Sequence, residues 1–343
     1  MTIKDIAKES GYAVGTVSRV LNDHPNVSPE ARAKVMEVVR RTGFQPNSNA
    51  KRLKQQASHS IAVVMKGARN LLFATLLETI QSLVEAKGYS VIISYQSEEE
   101  NEVSAAPALC AEHKPMGVLF LGGNRDNLRR DFASVKRPCV LVTTPAGDLG
   151  FPNLSSVATD DVLGARAAAN LLLDAGHKRI GVIGGESSVL TPTMGCNTSQ
   201  MRFVGFCQAL ADRGVDMDPE AQSVKTRYFM EGGYAGARTL LERDRGITAI
   251  FAMSDVMAVG AMRAARDMGL SVPGDLSVVG YDGIELGAYC NPKLTTVRQD
   301  GDALARRGVD ILLAAIEENA PAVHEIVPFD LVAGESVSKL ARE

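Results

Sequence analysis

Val14, Gly15, Ser18 and Arg19 fall on one face of a short stretch at helical spacing. The chemistry open to that face is contact with nucleic acid, because a guanidinium can fork onto the acceptor edge of a guanine and a valine can meet a thymine methyl. The other face carries Val17, Val20 and Leu21, and Asn22 ends the stretch. Ahead of it, Thr2 can accept from the first backbone amides while Asp5 answers back, close to a capping box. Ile3, Ile6 and Ala7 then share an apolar face. Gly11 hinges the two segments. Helix, tight glycine turn, helix is the helix-turn-helix pattern, whose second helix enters the major groove; an ordinary helical hairpin fits the spacing equally well.

The rest of the chain bounds that reading. With 343 residues, 45% of them hydrophobic, the chain can fill two or three cores, since single cores stop growing near roughly 250 to 300 residues. Lys4 and Asp5 interrupt any apolar amino-terminal run, and no stretch approaches the ~20 apolar residues that span a bilayer, so a soluble cytoplasmic protein is expected. Cys110, Cys139, Cys196, Cys207 and Cys290 are odd in number and widely spaced, as free thiols are, with no metal pattern. Charge is uneven. Residues 1–57 hold ten Lys and Arg against five Asp and Glu, a surplus of +5, which leaves −8 for the remainder of a chain whose net charge is −3. A basic head on an acidic body favours phosphate contact by the head alone, although a solvated charge run would give the same asymmetry.

Ser28-Pro29-Glu30 reads as a helix start: a serine cap, proline at the first helical position and a carboxylate near the positive end of the dipole. Val35, Val38 and Val39 supply its packing face, and Gly43 ends it. Pro46 to Asn49 breaks regular structure. The segment Ala50 to Gln56 is too short to be helical alone, since isolated helices below roughly 12 to 15 residues are marginal. From Ser60 onward apolar strands alternate with helical segments. Strands are expected at Ile61 to Met65, Tyr89 to Ser94, Met116 to Leu121, Pro138 to Val142, Arg179 to Ile183, near Gln222, Ala249 to Met253 and Leu276 to Val279. Alternation of this kind predicts an α/β body of two parallel sheets, each covered by helices on both faces.

Thr2-Ile3-Lys4-Asp5-Ile6-Ala7, Thr16-Val17-Ser18-Arg19-Val20-Leu21-Asn22, Val27-Ser28-Pro29-Glu30, Gly43-Phe44-Gln45-Pro46-Asn47 and Ala50-Lys51-Arg52-Leu53 resemble the headpiece of the lactose-repressor and galactose-repressor family. The likeness continues along nearly the whole chain through Thr159-Asp160-Asp161, Gly176-His177-Lys178-Arg179-Ile180, Ser277 to Asp282 and Leu294 to Gln299. It implies a helix-turn-helix domain at 1–45, a hinge at 46–59 and an effector-binding and dimerisation body at 60–343. That body would resemble a periplasmic sugar-binding protein, with two doubly wound lobes at about 60–157 with 293–322 and 158–292 with 323–343. The two lobes would be joined by three crossings, with ligand at the carboxyl ends of the strands.

Carried over residue by residue, the resemblance makes Thr2, Ser18, Asn22 and Ser28 phosphate positioners and turns Val14, Gly15 and Arg19 to base edges. Thr16, Asn47 and Ala50 complete the DNA-contacting set. Leu53 becomes the hinge-helix wedge pushed into the minor groove at the dimer axis. In the body it implies effector contacts from Arg202, Ser254, Asp282 and Gln299, with Phe73 and Tyr228 facing a sugar ring; His177 is read as structural. Several positions depart from the family pattern. Ala13 stands where a serine usually caps the recognition helix, Lys66 and Leu71 replace prolines, and Gly283 replaces a second acid after Asp282. Gly334 stands for an arginine, and Glu186 to Gln200 is a Ser/Thr/Gly loop expected beside the cleft. Lys66 and Arg69 could admit an anionic sugar, or be two solvated charges.

No Gly-x-Gly-x-x-Gly fingerprint, phosphate-loop Gly-Lys-Ser/Thr or His-Glu-x-x-His is present in the sequence, and no cofactor or metal is expected. The reading is a transcriptional regulator, most simply a repressor, that binds a pseudo-palindromic operator as a homodimer and is switched by a sugar-like effector. Its rivals are a sugar receptor or a sugar-active enzyme on the same fold. Without a terminal heptad repeat, a dimer and not a tetramer is expected. Reading a palindrome needs two headpieces, and salt-dependent binding to symmetric DNA separates this reading from both rivals.

Overall fold

The computed structural model describes residues 2–21, 27–44, 59–67, 69–185 and 197–340. The chain divides into two compact units, Met1–Gln56 and Ala57–Glu343. The first holds α1 (Ile3–Ser10), α2 (Val14–Leu21) and α3 (Pro29–Thr42). The apolar periodicity does what it predicts: Ile6, Ala7, Val17, Val20, Val35 and Val38 form one small core. At the start of α1 the Thr2 amide donates to Asp5 Oδ2 at 2.8 Å, and the Thr2 hydroxyl also donates to it, at 2.9 Å. The acid therefore carries the cap, and the backbone hydrogen bond from Thr2, then the hydroxyl's, hold its carboxyl below the usual range. Gly11 closes α1 at φ 76°, and Ser28 caps α3 by accepting from the Ala31 amide at 3.2 Å.

The second unit begins with β1 (Ser60–Lys66), α4 (Leu71–Ala86), β2 (Ser90–Gln96), α5 (Glu102–His113), β3 (Gly117–Leu121), α6 (Arg125–Asp131), β4 (Cys139–Val142) and β5 (Leu154–Thr159). It continues with α7 (Asp161–Asp174), β6 (Ile180–Ile183), α8 (Thr198–Asp212), α9 (Pro219–Gln222), β7 (Ser223–Val224), α10 (Met230–Arg243), β8 (Ala249–Ala252), α11 (Asp255–Asp267), β9 (Ser277–Asp282), α12 (Glu285–Ala288) and β10 (Thr295–Gln299). It ends with α13 (Gly301–Glu317), β11 (His324–Val327) and β12 (Phe329–Val332). The first sheet runs β11-β5-β4-β3-β1-β2 and the second β12-β10-β9-β8-β6-β7. Every pairing is parallel except β10 with β12. Central strands such as Val118–Leu121 are wholly buried because helices cover both faces of each sheet.

The chain crosses between lobes at Asp160, Asp300 and Pro328. These crossings correct the expected boundaries. Thr295–Gln299, expected in the first lobe, pairs with β9 in the second, and His324–Val327, expected in the second, pairs with β5 in the first. Pro328 cannot donate to a ladder, so the stretch from Ile326 to Val332, apolar but for Asp330, splits into two strands of different sheets. Among the described residues, Cys110, Cys139, Cys207 and Cys290 are free thiols, and no helix is long and apolar enough to cross a membrane.

Candidate functional site

On the first unit, packing of Val17 and Val20 inward leaves Val14, Gly15 and Arg19 exposed along α2, with Thr16 and Ser18 half-buried beside them. Arg19 makes no ion pair among the described residues. Gly15 meets nothing where a side chain would stand, so that part of the face is open. Ala13 offers α2 no side-chain cap; its carbonyl accepts from the Thr16 amide at 2.9 Å and the Val17 amide at 3.1 Å. Thr2 and Ser28 are exposed at the starts of α1 and α3. Asn22, Asn47, Ala50 and Leu53 lie outside the described residues.

In the body a cavity of about 260 Å³ opens between the lobes at the carboxyl ends of the strands. Phe73, Arg202, Tyr228, Asp282 and Gln299 all line it, five of the six expected effector residues. Phe73 fits because the backbone opposite is Gly122, at φ 72°, where a Cβ would come within 2.8 Å of the phenyl ring. Asp282 ends β9 at φ 116°, a conformation that costs a non-glycine residue energy and is found where function fixes it; Thr143, at φ 74°, lines the same cavity. Gly283 follows at φ 74°, and a Cβ there would meet the Arg298 side chain at 2.3 Å, so no second acid fits.

The polar floor is buried. Arg202 donates from Nε to Asp161 Oδ1 at 2.7 Å and from Nη1 to the Met253 carbonyl; its Nη1 is 3.6 Å from Asp282 Oδ1, and its guanidinium carbon stands 3.7 Å from the Tyr281 ring centroid. Gln299 Nε2 donates to Asp282 Oδ1 at 2.8 Å, while Asp282 Oδ2 has no partner among the described residues. Burial, opposed by the Arg202 guanidinium, pushes the Asp282 carboxyl up to about 6. An unsatisfied acceptor beside a fixed guanidinium is what vicinal hydroxyls would complete. Behind it, burial and then the Asp282 charge push Asp255 up to about 8, while it accepts from the Thr296 hydroxyl and from the Ile284 amide.

Ser254 is a correction. It is fully buried, and its Oγ accepts from the Met257 amide at 3.4 Å as the cap of α11, so it does not line the cavity. Lys66 lines the cavity and is no solvated charge: Nζ pairs with the wholly buried Glu102 at 2.8 Å, and Glu102 also accepts from the Asn124 amide at 2.6 Å. Arg69 lies outside this cavity, over the Phe229 ring at 5.1 Å. Residues 186–196 of the expected loop lie outside the described residues; Asn197 caps α8, and Thr198 to Gln200 already belong to that helix. His177 is structural, accepting from the Thr248 hydroxyl and donating to the Ser338 carbonyl, and burial keeps its pKa low.

The sequence reading missed Asn70, Asn124 and Asn197, which cap α4, α6 and α8 and line the cavity together. Their signal was present, as asparagines at strand-to-helix turns. Each turn belongs to a strand's carboxyl end, which is why the caps converge.

Residues 2–47 match the profile for bacterial regulatory proteins of the lacI family, and residues 169–337 match a periplasmic binding protein-like domain. Over 341 residues the chain is 34% identical to the HTH-type transcriptional regulator MalR of Clostridium butyricum, covering 98% of this chain and 99% of that one. The chain belongs to the LacI family. GalS of Salmonella typhimurium is 32% identical over 331 residues, covering 96% of this chain and 94% of the relative. Two solved relatives align along 98% of this chain and 99% of theirs. A complex of the transcriptional regulator CelR with cellobiose does so at 27% identity and a TM-score of 0.70. The lac repressor dimer bound to operator and an anti-inducer does so at 25% and 0.71. As a LacI-family member the chain is a DNA-binding transcriptional regulator and not an enzyme.

Proposed function

We propose that this LacI-family chain is a cytoplasmic repressor that holds a pseudo-palindromic operator as a homodimer and changes its grip when a sugar-like effector enters the body's cleft. The unsatisfied Asp282 carboxylate, set beside Arg202 and Gln299 in a strained backbone between two lobes, carries this reading. It is the acceptor that hydroxyls supply donors to. Arg19 and Val14 read base edges, with Gly15 facing the bases without a side chain to read them; Thr2, Ser18 and Ser28 position the headpiece on phosphates, and Thr16 joins the DNA-contacting set. Asn22, Asn47, Ala50 and the Leu53 wedge keep the roles that the family resemblance implies. Solved relatives bound to operator as a dimer and to cellobiose support both halves.

An effector moves the operator equilibrium only by its preference for one lobe arrangement, and a near-complete switch needs about 5.5 kcal/mol. The test is a thermal-shift screen of mono- and disaccharides and sugar phosphates, followed by titration of a symmetric duplex with and without each hit. Salt-dependent duplex binding that a hit alters is the expected result; hits that leave duplex affinity untouched would remove the switch. The further substitution Leu53→Ala should weaken specific binding far more than non-specific binding, and equal losses would argue against the wedge.

A further inference from the structure

We propose that the effector is an uncharged saccharide of two linked units, with its second unit in an outer cavity at the cleft mouth and Glu98 as the acceptor at the junction. This rests on the reading of the cleft as an effector site. The inner cavity shares Gly67 and Glu98 with a second one of about 380 Å³ that lies against it. Tyr95, at the carboxyl end of β2, is 58% exposed and forms one wall, and Phe229, backed by Arg69, forms another. Two aromatic faces standing beside a polar junction suit a ring that is apolar on its faces and hydroxylated at its edge.

Charge decides against an anion. Lys66 is held by Glu102, Arg202 by Asp161 and Asp282, Arg227 by Glu99 at 2.6 Å, and Arg69 sits on Phe229. Among the described residues the cations at the two cavities, Lys66, Arg69, Arg202 and Arg227, are outnumbered by the carboxylates of Glu98, Glu99, Glu102, Asp161 and Asp282 set against them, so an anion would enter against net negative charge, and a buried anion without a partner is costly. Glu98 is half-buried, makes no ion pair among the described residues, and is raised by burial against the backbone hydrogen bond from Tyr228. A carboxylate so placed accepts hydroxyls and repels a second anion.

The full-length protein is titrated calorimetrically with cellobiose, maltose and lactose, with glucose and galactose, and with glucose 6-phosphate. At least one disaccharide should bind about tenfold more tightly than its component monosaccharides, and glucose 6-phosphate no better than glucose. Tyr95→Ala should lose about that tenfold for the disaccharide, with monosaccharide affinity and ligand-free melting unchanged. A monosaccharide or glucose 6-phosphate that binds as tightly as the best disaccharide overturns the proposal, as does an unaltered disaccharide constant in Tyr95→Ala. Either result leaves the effector cleft itself standing, whereas silence from every saccharide overturns both readings together.

Discussion

Arg202 Nε donates to Asp161 Oδ1 at 2.7 Å, and both side chains are buried beneath the cleft, one from α8 and the other from the first turn of α7. Removing one partner of a buried pair leaves an uncompensated charge, which costs about 3–5 kcal/mol. Asp161→Ala should therefore lower the unfolding free energy of the body by about that amount in urea. An unfolding free energy within ~0.5 kcal/mol of the parent would mean that Asp282 alone satisfies the guanidinium.

Asp282 titrates near 6 because burial opposes its ionisation. If the ionised form is the acceptor for the effector, affinity should hold above that pH and fall by up to about tenfold per unit below it. Asp282→Asn should bind weakly and show no such slope. A variant that keeps the slope would assign it to another group.

Asp255 gives a separate pH dependence, in stability. Its carboxyl is at about 8 in the folded chain against 3.8 ordinarily, through burial and then the charge of Asp282. Between those values the native state binds a proton that the unfolded chain has released, so stability falls as pH rises across the window. The melting temperature should drop between about pH 5 and about pH 8, by roughly 2–4 °C for each kcal/mol. Asp255→Asn, which keeps the shape of the neutral acid, should reduce the drop, and an equal drop in the variant would remove Asp255 as its source.

Arg19 is exposed on α2 and unpaired among the described residues. Arg19→Ala should relax preference at one base position per half-site by about 1–3 kcal/mol, scored by selection from a randomised duplex. Preference unchanged at every position would leave Arg19 as a phosphate contact only.

The headpiece was legible because its core is small and periodic: Ile6, Val17, Val20, Val35 and Val38 fall where a period of 3.6 puts them. In the body, strands such as Ile180–Ile183 were legible as short apolar runs. Leu154–Thr159 was not, since its interior carries Ser155 and Ser156, whose hydroxyls are buried against Val323 and His324 from a strand far along the chain. No local pattern announces a partner 168 residues away. Ser254 and Lys66 misled for a related reason. A buried serine can be consumed by a helix start, and a lysine's neutraliser, Glu102, is visible only after folding.

The carboxyl-terminal segment hands one edge strand to each sheet, β11 to the first and β12 to the second, with Pro328 alone between them. Neither lobe is thus a single uninterrupted piece of polypeptide, and no one cut yields either half intact. Trimming at about residue 323 would strip both flanks together. Isolating a half for study calls for rejoining its fragments through an artificial linker.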